Sequence, residues 1–173
     1  MPVRQIGKRL MINRRLLTAL SAVALVGSGA RAQTLATHRI PVALAVEAAT
    51  EAMAACAKDG YHETVQVVDA DGVVIATLRE DAAGAHTLDS AYYKAYTSAS
   101  FKRDTLALAD RAKGEDSIAP LQKLPHVMFF GGGVPIKLGD ETIGAIGASG
   151  APGGKLDDAC ARAGVDKIKD RLR

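Results

Sequence analysis

The sequence predicts an α+β fold, a five-stranded, mainly antiparallel sheet flanked by helices in a single domain. Three observations carry that reading. Short β-branched runs are joined by tight-turn signals such as Asp71-Gly72 and Gly139-Asp140, the mark of hairpins. Helical periodicities do not alternate regularly with strands, so a doubly wound parallel sheet is not expected. The chain has 173 residues, 48% hydrophobic and 24% charged, enough for one core without a disulfide scaffold.

Residues 34–41 form a lead-in ending at Pro41. Val42, Val46, Ala49, Met53 and Cys56 then recur at intervals of four and three, one apolar face of a helix. Asp59-Gly60 supplies its stop, because glycine accepts the left-handed conformation. Thr64–Ala70 and Val73–Leu78 read as a hairpin. Thr87 is placed to cap a second helix, on which Leu88, Ala91, Tyr92, Ala95 and Ala99 make one stripe. A second stripe of Ser90, Tyr93, Lys94, Thr97 and Phe101 is polar and aromatic rather than plainly solvated. Asp104 opens a short helix to Lys113, and residues 115–126 connect onward. Val127–Phe130, Val134–Leu138 and Thr142–Ala148 complete the five strands. The last helix runs from about Leu156 to Leu172, with Asp157 and Asp158 near its positive end and Gly164 placed to break or bend it.

Charge is unevenly distributed. Residues 1–32 hold six basic and no acidic side chains, which leaves 16 basic against 19 acidic in the remainder. The remaining chain lacks the basic footprint that nucleic acid requires, and aromatics at 4% without Trp provide no broad stacking platform. Arg14-Arg15, the apolar run Leu16–Val26 and Ala30-Arg31-Ala32 have the form of a signal peptide over 1–32, cleaved before Gln33. Met11 is an alternative start. An uncleaved anchor is the competing reading, but the apolar run falls short of the roughly 20 residues needed to span a bilayer. A periplasmic or extracellular location follows as an expectation. Cys56 and Cys160 then form either a disulfide or two buried thiols; no CxxC or His spacing supports zinc.

Most familiar catalytic constellations are missing. Gly131-Gly132-Gly133 leads into Val134-Pro135-Ile136, strand-like rather than helical, and no GKS or GKT follows, so a nucleotide-binding loop is excluded in favour of a tight strand connection. His38, His62, His86 and His126 include no i, i+4 pair for zincin chemistry. Ser149 lacks GxSxG flanks. Most carboxylates sit at turns and helix ends, where capping explains them.

Four segments, in order, take the reading further: Val67-Val68-Asp69-Ala70-Asp71-Gly72, Lys94-Ala95-Tyr96-Thr97-Ser98-Ala99, Gly131-Gly132-Gly133-Val134-Pro135-Ile136, and Ile143-Gly144-Ala145-Ile146-Gly147-Ala148-Ser149-Gly150-Ala151. Together they resemble the GlcG/HbpS family, with its VVDxxG, KAxTA, GGxPI and IGAIGVSGA patterns, over roughly residues 40–168. The leader points to the extracellular, haem-binding HbpS-like branch. The sequence departs from the patterns at Ser98, where Ala is commoner, and at Ala148-Ser149 in place of Val-Ser.

The resemblance implies five antiparallel strands with flanking helices, a symmetric homo-oligomer (often an octamer), and haem bound at the surface or between subunits. Some members degrade haem or signal to a membrane sensor kinase. It also implies that the Thr of KAxT, here Thr97, contacts the haem iron. Ligand chemistry favours His86 instead, since imidazole and phenolate are the usual donors, and the two stay unranked. Lys94 is expected to pair a haem propionate as a partly exposed ion pair, with Tyr93 and Phe101 covering the macrocycle. The alternative is a subunit interface with the Thr97 hydroxyl bonded to backbone. His38, His62 and His126 are expected to lie away from the site. Three functions follow: haem binding, oxidative haem degradation, and oligomeric binding of another small metabolite.

Overall fold

The structure is a computed structural model that describes residues 35–114 and 117–173. The expected leader at 1–32 and its expected cleavage site lie outside the described residues.

The first helix, α1, is Val42–Ala57. Its buried face is Ala45, Ala48, Ala49, Ala52 and Cys56, whereas Val42 and Val46 are 62% and 41% exposed. The predicted face is therefore rotated toward the small residues. The cause is the close approach of the last helix, α4 (Gly154–Ile168). A Cβ on Gly164 would lie 2.4 Å from the Ala48 carbonyl oxygen, so backbones this close admit alanine and glycine but not valine. Gly164 lets two helices touch and does not break α4, which continues as a short 3₁₀ turn, Lys169–Arg171. The Cys56–Cys160 disulfide ties α1 to α4, with Cα atoms 5.5 Å apart.

Four strands form the sheet: β1 (Thr64–Asp69), β2 (Val74–Arg79), β3 (Gly133–Leu138) and β4 (Glu141–Ser149), all antiparallel in the order β2-β1-β4-β3. Val67 stands opposite Ala76 on one side and Ile146 on the other, and Ile146 stands opposite Val134. Because side chains alternate across a strand, Val65, Val67, Val134, Ile136 and Ile146 face the α1/α4 layer. Val68 and Ala145 face the opposite side, where helix α2 (His86–Phe101) lays down Ala95 and Ala99. The central strands are buried on both faces.

The fifth strand is absent among the described residues. Val127–Phe130 runs as irregular backbone, because its polar groups are taken by side chains from two helices. Met128 N–H donates to Thr97 Oγ1 at 2.9 Å, and Thr105 Oγ1, at the start of α3 (Thr105–Arg111), donates to the Phe130 carbonyl at 2.7 Å. A segment whose hydrogen bonds are spoken for need not join a ladder. Thr87 is likewise no cap: it lies inside α2, buried, with its hydroxyl 2.5 Å from the Gly84 carbonyl and 2.6 Å from Thr64 Oγ1.

Candidate functional site

Helix α2 presents three faces. Ala91, Ala95 and Ala99 sit on the sheet, at most 2% exposed. That contact is closest at Gly147, where a Cβ would lie 2.1 Å from the Ala91 carbonyl oxygen. His86, Ser90 and Lys94, four apart, line a cleft of about 440 Å³ together with Met128, Phe130 and Ser149. The Ser90 and Ser149 hydroxyls meet across it at 2.7 Å. The third face carries Tyr92, Tyr93 and Tyr96, half-buried, with Thr97 fully buried.

The floor of the cleft is charged. Lys94 is 1% exposed, and its Nζ donates to Asp157 Oδ2 at 2.5 Å and to the Ala148 carbonyl at 2.9 Å. The ammonium also stands 5.2 Å from the centre of the Phe130 ring, within cation–π range. Asp157 takes a further hydrogen bond from Ala151 N–H at 2.9 Å. Burial pushes the Lys94 ammonium down from its ordinary 10.5, and the Asp157 charge opposes that shift. Glu63, just before β1, is fully buried. Burial first, and the neighbouring Asp157 carboxylate second, push it up to about 8, so it holds its proton at neutral pH. Its Oε1 lies 3.2 Å from Cys56 Sγ. Cys56, Cys160 and Glu63 are mutually close, but the two sulfurs are joined, and a thiolate metal site needs them free.

The triple glycine serves this floor. A Cβ on Gly132 would lie 2.5 Å from the Ala148 oxygen and 3.0 Å from Lys94 Nζ, and one on Gly133 would lie 2.3 Å from the Lys94 carbonyl oxygen. It is a packing device that lets the chain pass over the ion pair, in keeping with the expected tight connection.

The structure places the five predicted residues differently. His86 is exposed at the start of α2 and lines the cleft. Lys94 is buried and paired, not the partly exposed cation expected. The Thr97 hydroxyl is 0% exposed; besides accepting from Met128 it donates to the His126 carbonyl at 3.4 Å, so both its roles are filled by backbone. Phe101 packs edge-on against Phe129, with ring centres 5.5 Å apart. Tyr93 lies in an aromatic cluster whose centre is His126, the residue that sequence spacing sets aside. The His126 ring is 5.5, 5.3 and 5.7 Å from the rings of Tyr92, Tyr93 and Tyr96. His38 and His62 do stand apart, each bonded to a carboxylate, Glu141 at 2.7 Å and Glu80 at 2.8 Å. The sequence reading gives Asp157 only a helix-end role, sets His126 apart from the site and assigns Glu63 no role. Asp157 is 63 residues from its partner Lys94, and no local signal joins them.

Comparison with known proteins places this geometry in a family. The family model described as "Haem degrading protein HbpS-like" matches residues 40–166. A double-mutant form of HbpS from Streptomyces reticuli is 37% identical, with a TM-score of 0.73 over 78% of this chain and 90% of that one. A 15.0 kDa protein from the dhaT-dhaS intergenic region of Citrobacter freundii is 30% identical over 122 residues, 69% of this chain and 84% of that one. The structure of a PduOC:heme complex shares the fold, with a TM-score of 0.71 at 23% identity over 76% of this chain and 96% of that one. The matched span contains all four sequence motifs, and the chain belongs to the GlcG/HbpS family.

Proposed function

We propose that this protein binds haem on the surface where α2 meets residues 126–130, outside the cytoplasm and as a homo-oligomer. The observation that carries the reading is an exposed imidazole, His126, set among three tyrosine rings on the motif-bearing helix. The donor set fits the group: imidazole and phenol are the side chains that hold haem iron in many proteins. Half-buried aromatic rings also give a planar macrocycle apolar surface to cover. Tyr93 belongs to that surface, and the exposed His86 lines the neighbouring cleft. Phe101 packs on Phe129 and Lys94 stands 5.2 Å from the Phe130 ring, so both touch the 126–130 segment. When bound, haem supplies a redox-active iron and a strong Soret absorbance. The chain's own residues bind and orient it, and the buried Thr97 hydroxyl fixes the backbone that carries His126 and Met128.

The biological role that fits is haem sequestration, or reporting of haem to a membrane sensor. The Cys56–Cys160 disulfide supports an oxidising compartment, and the exported chain is expected to begin at Gln33 by intact mass. A secreted chain that keeps residues 1–32 would refute the leader reading. Haem degradation is the alternative that the family's description raises. It requires loss of the Soret band with iron release on adding peroxide or a reductant to the complex. A titration of the purified protein with hemin, read by absorbance and light scattering together, tests binding and assembly at once. A saturable Soret change on an oligomer supports the reading, and no spectral change refutes it.

A further inference from the structure

Resting on the haem reading, we infer that His126 is the residue that ligates the iron and that Thr97, the motif threonine, is a positioning residue that holds His126 in place.

Four observations lead there. First, the Thr97 hydroxyl is 0% exposed, accepts a hydrogen bond from Met128 N–H at 2.9 Å and donates one to the His126 carbonyl at 3.4 Å. A hydroxyl is a weak donor to iron unless ionised, and this one would have to surrender both bonds and leave the protein interior. Second, those bonds staple the backbone on either side of Val127, fixing the stretch that presents the imidazole. Third, His126 has φ of +63°, the left-handed region that side chains other than glycine enter at a cost and in which histidine is among the enriched exceptions. Such a conformation persists where surrounding contacts enforce it, and here Thr97 and the three tyrosine rings do so. Fourth, the four histidines differ in what engages them. His38 and His62 are bonded to Glu141 and Glu80. Among the described residues, no side-chain hydrogen bond engages the ring nitrogens of His126, which is exposed.

His86 is also exposed, but among the described residues no tyrosine ring stacks on it, and it sits at the first turn of α2. His126 is held by the rings of Tyr92, Tyr93 and Tyr96 at 5.3 to 5.7 Å. This packing restricts the orientation of the imidazole and, among the described residues, leaves both ring nitrogens free of side-chain partners. A neutral imidazole offers one ring nitrogen as acceptor, and that nitrogen makes the bond to iron. No oxidation or group transfer is involved, only coordination by an existing lone pair.

The test uses the full chain loaded with ferric haem, read by Soret position and by electron paramagnetic resonance, with far-ultraviolet dichroism to confirm folding. His126→Gly should shift the Soret maximum, lose the histidine-type resonance and weaken binding at least tenfold, and added imidazole should restore the wild-type spectrum. Thr97→Val should weaken binding while keeping the histidine-type spectrum, and Thr97→Ser should recover the affinity. His38→Ala should behave as wild type. A wild-type complex whose spectrum survives His126→Gly but changes in Thr97→Val or His86→Ala overturns the assignment and leaves haem binding intact. A wild-type protein that gives no Soret band overturns the haem reading itself, and the assignment falls with it.

Discussion

Replacing Lys94 with methionine keeps most of the side-chain volume and removes the ammonium. Asp157 then keeps only its bond from Ala151 N–H and the adjacent protonated Glu63, with its side chain 2% exposed. Removing one partner of a buried ion pair typically destabilises by about 3–5 kcal/mol, and about 4 kcal/mol lowers Tm by roughly 10–15 °C in a domain of this size. Urea and thermal melts of Lys94→Met at pH 7 read it directly. The double variant Lys94→Met/Asp157→Leu should recover most of the loss, because no charge is left buried. A cost of about 1 kcal/mol or less, the scale of an exposed pair, would refute the buried-pair geometry.

Two further outcomes follow from the same region. Because Glu63 is raised from 4.5 to about 8, folding retains a proton that the unfolded chain releases. The associated stability is full below about pH 4.5 and is lost as pH rises through 8. Glu63→Gln should flatten that slope and gain on the wild type toward pH 8; parallel stability–pH curves for the two would contradict a protonated Glu63. Replacing Cys56 and Cys160 by alanine opens a link spanning 104 residues, for which chain entropy gives a loss of about 4–5 kcal/mol. An unchanged urea midpoint would show that the bond does not restrain the unfolded chain.

The order of elements was legible because four strands and four helices carry their own periodicity and turn residues. What failed depends on partners distant in sequence. Val127–Phe130 has the composition of a strand, but Thr97 and Thr105 claim its backbone from 25 to 31 residues away. Val42 and Val46 outweigh alanine in hydropathy, yet the interface of α1 with α4 selects for thinness, and the valines face outward. The four motifs identified the family, and one of them lies on α2. The roles along α2 were harder to read. Lys94 and Thr97 look like ligand groups on a helical wheel, and only the three-dimensional fold shows Asp157, Ala148, Met128 and His126 already holding them. His126 carries no local signal at all, and its tyrosine neighbours lie about 30 residues upstream.

The most direct measurement of the central claim is a hemin titration of the wild-type chain beside His126→Gly, followed at the Soret band. The account predicts a saturable, histidine-type complex in the wild type, lost in the variant and restored by imidazole. A wild-type titration that adds only the spectrum of free hemin would contradict it.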